Sequence, residues 1–307
     1  MEDHRVRIRL KSPAGTPWQS DTIFGHLCWQ VAYGVIGTDI DTFLQPFRDG
    51  NPPFVMSDGF PTGLMPRPML QDSLETARTL DQYAADKRWR KATYISVVDF
   101  LAVCRGERTQ GEPYDDPWVL ATTPHASISR VTSTTGEGGA FFETESAYLS
   151  SPGEIDIYLR CKHGWADKVI ELLRAVSKTG YGRDKSVGLG AFEVSSIEEF
   201  DAFAKFDGAN GFVSISSMVP AASDPVDARY RLRVKKGKLG EEWVQPNPFK
   251  RPLLQMEPGA VFKVHGEIKE FYGRVVKNLA PGKPEVVQNC YALAVPCAVR
   301  ENSDPEE

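Results

Sequence analysis

Residues 179–194, TGYGRDKSVGLGAFEV, set Gly180, Gly182, Gly188 and Gly190 around Arg183, Lys185 and Ser186. Glycines permit positive φ and close backbone approach, while Arg, Lys, Ser and free N–H groups are the donors that phosphate oxygens accept from. The stretch therefore reads as a phosphate-contacting turn. A glycine-rich turn with solvated charges is the competing reading of the same residues. Elsewhere, His4, His125, His163 and His265 have no partner at a telling interval, and no Ser-His-Asp, H-E-x-x-H or paired-carboxylate motif stands out. Cys28, Cys104, Cys161, Cys290 and Cys297 form no C-x-x-C pair and have no histidine at ligand spacing. Reduced thiols are expected, with neither a metal site nor a cofactor.

The loop needs elements on both sides of it. Upstream, Trp165, Val169, Leu172, Leu173 and Val176 recur at helical spacing, which predicts an amphipathic helix from Ala166 to Lys178 with Gly180 as its left-handed stop. Downstream, Ala191 to Ser195 reads as a short strand. A P-loop or dinucleotide fingerprint runs strand, glycines, helix, so that a helix N-terminus faces the phosphate. Here the helix presents its other end and no GxxxxGK[ST] is present, which argues against nucleotide hydrolysis or NAD binding.

At 307 residues, 41% hydrophobic and 25% charged, the chain can form two domains, each with its own core. No apolar run approaches a membrane span and MEDHRVRIRLK lacks a signal-peptide core, so a soluble, cytoplasmic protein with no membrane partner is expected. The net charge of −5 hides local asymmetry. In Arg5-Val6-Arg7-Ile8-Arg9-Leu10-Lys11 cations and aliphatics alternate, so a strand would carry a basic stripe on one face and send Val6, Ile8 and Leu10 into a core. The alternation returns in Arg229-Tyr230-Arg231-Leu232-Arg233-Val234-Lys235, which suggests an internal duplication.

A boundary is expected near residues 200–210, giving domains 1–205 and 206–300 and an acidic, disordered tail 301–307. In the first domain, Ser20 to Tyr33 offers Phe24, Leu27, Cys28 and Val31 as a helical core stripe, capped by Ser20 or Asp21. A Pro-rich passage (Asn51 to Pro68) and a polar helical stretch (Ser73 to Lys91) follow. Thr93 to Val103 and Glu154 to Cys161 read as strands, and Gly211 to Met218 as a strand of the second domain. Ser127 to Ser150 reads as an extended hairpin turning at Thr134 to Gly139, with Arg130 at its base. Without insertions the order is β-α-β-β-α-β, an α+β ferredoxin-like plan whose open sheet face is available to single-stranded RNA.

The pattern G-x-G-x-x-x-S-x-G-x-G from Gly180 to Gly190 closely resembles the glycine-rich loop of the RAMP superfamily of CRISPR proteins. Within that superfamily, TPWQSDTIFGHLCW (Thr16 to Trp29), GLMPRP (Gly63 to Pro68), the SISRVT hairpin arm and PGAVFKV (Pro258 to Val264) are similar to blocks of the fourth Csm subunit of type III-A effector complexes, a Cas5-type protein. The resemblance runs from about residue 5 to residue 297. It implies two ferredoxin-like (RRM-like) domains with insertions and a protruding β-hairpin, a non-catalytic ribonucleoprotein subunit of antiviral defence that binds the 5′ handle of the guide RNA and caps the complex. The partners it implies are the guide RNA, a large polymerase-like signalling subunit and a backbone RAMP subunit. By position, Gly180, Gly182, Arg183, Lys185, Ser186, Gly188 and Gly190 would line the handle, with Arg67, Arg130 and Ser20 as further contacts. The apolar stretch Val286 to Pro296 departs from the family pattern.

Some members of this superfamily cleave precursor RNA with a histidine base, so the alternative is a metal-independent endoribonuclease using His26. His26 shares a helical face with Thr22, Trp29 and Tyr33, and Tyr33 could donate a proton. No Lys or Arg on that helix is placed to stabilise a pentacovalent phosphate. A packed histidine, or an aromatic face that meets another subunit, accounts for the same residues.

Overall fold

The computed structural model describes residues 1–70, 79–107, 113–135, 141–150, 153–240 and 248–300. The chain opens with β1 (Glu2–Leu10), α1 (Ser20–Ala32), α2 (Ile40–Arg48) and the short strands β2 (Phe54–Met56), β3 (Phe60–Pro61) and β4 (Leu64–Pro66). Then come α3 (Leu80–Lys91), β5 (Tyr94–Ser96), α4 (Val97–Cys104), β6 (Trp118–Ala126), β7 (Phe141–Leu149), β8 (Glu154–Cys161), α5 (Ala166–Thr179) and β9 (Phe192–Glu199). The remainder is β10 (Gly211–Ser214), β11 (Ala228–Arg229), β12 (Leu232–Lys235), β13 (Leu253–Met256), β14 (Val261–Lys263), β15 (Phe271–Val276) and β16 (Gln288–Cys297).

Two antiparallel sheets organise these elements. The first runs β2-β8-β1-β9, with β3 also on β8, and the second runs β11-β14-β10-β16-β15. Val6 and Ile8 of β1, Ile155, Ile157 and Leu159 of β8, Phe24, Leu27 and Val31 of α1 and Val169, Leu172, Leu173 and Val176 of α5 share one apolar cluster. That cluster also takes in Val213, Ile215, Leu293 and Val295 of the second half. The largest core thus spans residue 205, where separate cores were expected. Among the described residues after 205 there is no α-helix, so they include no crossover helix of the kind a ferredoxin-like unit uses.

Several local expectations change for physical reasons. Thr93 to Val103 is a strand only as far as Ser96. The Ser96 side chain then accepts from the Asp99 N–H and donates to the Asp99 carboxylate, a cap that starts α4 despite the β-branched residues. The hairpin pairs β6 with β7, Trp118 opposite Leu149 and Ala126 opposite Phe141. Its first arm therefore lies upstream of Ser127, and Arg130 falls in the turn region near the tip instead of at the base. Of the polar stretch Ser73 to Lys91, residues 73–78 lie outside the described residues, as does the tail 301–307.

The basic stripe of β1 is neutralised by its neighbours. Arg5 pairs with Glu198 (2.9 Å), Arg7 with Asp156 (2.9 Å), Arg9 with Glu154 (3.0 Å) and Glu193 (3.2 Å), and Lys11 with Glu193 (2.9 Å). The register puts Arg7 opposite Asp156 and Arg9 opposite both Glu154 and Glu193, so opposite charges face each other across the strands. β8 is buried on both faces, and its Arg160 guanidinium binds Asp3 and also donates to the Ala294 and Glu270 carbonyls of the second half. The sheet face expected to stay open to RNA is covered there. The second basic segment is not a repeat of β1: it breaks between β11, which joins β14, and β12, which pairs with β13.

Candidate nucleic-acid interface

The glycine loop is built against residues 12–19, the link between β1 and α1. α5 ends at Gly180, whose φ of 84° and ψ of 164° lie outside the left-handed helical region that a glycine stop was expected to take. This extended exit turns Tyr181 inward, where its ring stacks on Trp18 at 4.0 Å and its hydroxyl donates to the Pro17 carbonyl (2.7 Å). Burial pushes the Tyr181 phenol up, so it stays a neutral donor. The loop backbone then fastens itself. The Gly182 N–H donates to His26 Nε2 (2.9 Å) and the Arg183 N–H to Thr16 Oγ1 (2.9 Å). The Tyr181 N–H donates to the Gly190 carbonyl (2.9 Å) and the Gly190 N–H to the Pro13 carbonyl (2.7 Å).

Glycine is required in this closure at Gly190, which has φ of 67° and where a Cβ would stand 1.9 Å from the Tyr181 carbonyl oxygen. Gly188, φ 99°, meets nothing within 4 Å. Just before Gly188 the chain makes a single turn, Lys185–Val187, entered through Asp184 at φ 60°. Ser186, Val187 and Gly188 are exposed at its crest and Lys185 is half-buried beside them.

The other expected contacts separate into distinct places. Arg183 is exposed, but its guanidinium donates to the Glu145 carbonyl of β7 and pairs with Asp184 (3.2 Å), tying the loop to the hairpin. Arg67 is half-buried and donates to the Arg90 carbonyl (3.1 Å) at the end of α3. Arg130 lies beyond the last hairpin pair, Ala126 with Phe141, which is about 13 Å along the strand from Glu145. Ser20 does not share this surface: it is buried, and its N–H donates to Asp58 (2.9 Å). Neither Ser20 nor Asp21 caps α1, whose N-cap Gln19 makes no side-chain cap; Asp58 takes that donor from a separate segment.

Asp21 is spent on the second half. Its buried carboxylate accepts from Lys235 Nζ (2.8 Å), Gln255 Nε2 (2.8 Å) and Gln288 Nε2 (2.7 Å), and Lys235 also donates to Gln19 and Thr22 (both 2.6 Å). Burial alone would raise the Asp21 carboxyl, but the Lys235 charge and these hydrogen bonds hold it below its ordinary value. Asp58 likewise accepts from Ser217 Oγ (2.6 Å) and the Ser217 N–H (2.9 Å). Two buried carboxylates thus lock the start of α1, and with it the support of the loop, to the C-terminal half.

Residues missed in the sequence are those that shape the loop: Ser12, which accepts from the Ala191 N–H (2.9 Å), Thr16, Trp18 and Tyr181. An aromatic between two glycines at 180–182 was the available signal. His26 serves this same framework, its Nε2 occupied by the Gly182 N–H. Among the described residues, no group of three or more His, Cys, Asp or Glu side chains is placed to hold a metal ion. No helix among them is long and apolar enough to cross a membrane.

No protein-family model matches the chain. It is 25% identical over 225 residues, 70% of its length and 74% of the relative's, to the CRISPR system Cms protein Csm4 of Thermococcus onnurineus (strain NA1). In fold it matches a chain of the crystal structure of a Csm1–Csm4 cassette in complex with AMPPNP, with a TM-score of 0.65 and 17% identity, over 98% of this chain and 100% of the other. A chain of the Csm3–Csm4 subcomplex of the type III-A CRISPR–Cas interference complex matches with a TM-score of 0.57 and 12% identity, over 96% and 99%. By its motifs, by sequence over more than two thirds of its length and by fold over nearly all of it, the chain resembles Csm4, the fourth Csm subunit.

Proposed function

We propose that this chain binds the 5′ handle of the guide RNA and caps one end of a type III-A CRISPR effector complex, beside a Csm1-type large signalling subunit and a Csm3-type backbone subunit. Its role is structural, with no catalytic step of its own. The observation that carries this reading is the fastened glycine loop, whose crest of Ser186 and Gly188, with Lys185 beside it, faces solvent on a rigid base. A prearranged crest that offers a hydroxyl, exposed backbone and a neighbouring cation suits a phosphate backbone, since little ordering remains to be done on binding. The β2-β8-β1-β9 order with α1 and α5 supports a ferredoxin-like reading of residues 1–205. Residues 206–300 are then a second, β-rich unit locked onto it through Asp21 and Asp58. The endoribonuclease alternative loses ground because His26 Nε2 already accepts from the loop backbone.

The test is binding of a handle-bearing guide RNA by the full-length chain across a salt titration. Lys185→Ala with Ser186→Ala should weaken binding and lower the slope of log affinity against log salt by about one. Arg183 is left intact because it holds the hairpin. Unchanged affinity and slope would refute the loop as the RNA contact.

A further inference from the structure

The β12–β13 ribbon is turned inside out relative to its sequence pattern. In β1 the aliphatics enter the core and the cations lie outside, and the matching alternation in residues 229–235 leads to the same expectation. The fold does the reverse. Arg233 turns inward to Ser217 Oγ (2.7 Å) and Lys235 inward to Asp21 (2.8 Å), Gln19 and Thr22. With a side-chain period of two, this forces the alternate residues outward. Leu232 is 50% exposed and Val234 53%, and Leu254, directly opposite Val234, is 54% exposed. Cross-strand partners stand about 5 Å apart, so these three form one contiguous apolar patch, extended by Tyr230.

The patch is flanked by positive charge. Arg231, Lys236 and Arg251 are exposed, and no carboxylate among the described residues lies within ion-pair distance of them. The cations of β1, by contrast, are all paired. Because the buried Lys235–Asp21 contact fixes the strand's orientation, the ribbon cannot relieve its exposed aliphatics by rotating.

We propose that the outward face of β12–β13 seats a neighbouring protein subunit whose surface is aliphatic at its centre and acidic at its rim. An apolar centre with a charged margin is the anatomy of a protein interface, and the exposed cations define the complementary charge of the partner. A nucleic-acid strand fits less well, since the centre of the patch is branched aliphatic and its one ring, Tyr230, stands at the margin. The inference deepens the proposed place of this chain in an effector complex and rests on that reading.

The experiment titrates the full-length chain against the purified Csm1-type and Csm3-type subunits of the same host, separately. Leu232→Thr, Val234→Thr and Leu254→Thr together keep strand propensity and should weaken binding to one of the two about tenfold or more, with the melting temperature retained. Arg231→Glu, Lys236→Glu and Arg251→Glu together touch only side chains outside the core, so they decide the matter even where the first variant misfolds. They should weaken the same complex about tenfold, chiefly through a slower association rate whose difference shrinks in high salt. Native-like binding of both subunits by both variants overturns the inference alone. Failure of the native chain to bind either subunit overturns the proposed assembly as well. Loss of handle-RNA affinity with subunit binding intact overturns it in favour of a nucleic-acid contact.

Discussion

Gly190→Ala and Gly188→Ala alter two glycines of the same motif, two positions apart, and should have very different consequences. Both sit at positive φ, 67° and 99°, so each alanine costs about 1–2 kcal/mol in backbone strain. At Gly188 nothing lies within 4 Å of the added methyl, and the cost ends there. At Gly190 the methyl would stand 1.9 Å from the Tyr181 carbonyl oxygen, so the two strands of the loop must part. That separation breaks the Tyr181 N–H bond to the Gly190 carbonyl (2.9 Å), worth about 1 kcal/mol, and strains the packed ring of Tyr181 on Trp18, about 1–3 kcal/mol more. The total is about 3–6 kcal/mol. For a chain of this size about 2 °C of melting temperature is lost per kcal/mol, so Gly190→Ala should melt about 6–12 °C lower and Gly188→Ala only about 2–4 °C lower. Should the loop detach locally, amide hydrogen exchange at Tyr181, Gly182 and Arg183 would accelerate in the first variant alone. Equal melting shifts together with equal exchange at those amides would refute the account of Gly190 as a site of backbone closure.

Two further outcomes follow from the buried contacts. Lys235→Met leaves the Asp21 carboxylate buried without its counter-ion and should destabilise the chain by about 3–5 kcal/mol at pH 7, measured by denaturant unfolding. In the native chain the lowered Asp21 carboxyl contributes stability that is present above the unfolded value near 4 and is lost as pH falls through the folded value. In the variant burial dominates and raises that carboxyl, so its deficit should narrow on acidification; a deficit independent of pH would contradict the pairing. His26→Ala should speed exchange of the Gly182 amide and weaken handle-RNA binding, whereas His26→Gln, which retains an acceptor, should recover part of both. Equal effects of the two substitutions would show that the hydrogen bond is not what positions the loop.

Local pattern was sufficient for the elements whose faces alternate cleanly. α5 follows from Val169, Leu172, Leu173 and Val176, β1 and β8 from their period of two, and the loop from its glycines, because these signals depend on neighbours within a few residues. Motif resemblance carried the likeness to Csm4, which the sequence and fold comparisons support. Charge was the least legible property. RVRIRLK and RYRLRVK look alike along the chain, yet one has its cations answered by Glu193, Glu198, Glu154 and Asp156, while the other sends Arg233 and Lys235 inward and its aliphatics outward. The difference arises from carboxylates remote in sequence, Asp21 above all, and a strand's two faces are equivalent until tertiary contacts choose between them. The same holds for Ser20, Arg183 and His26. Their residue types announced capping, phosphate binding and base catalysis, but tertiary contacts made one of them buried beside Asp58, one a tie to the hairpin and one a backbone anchor.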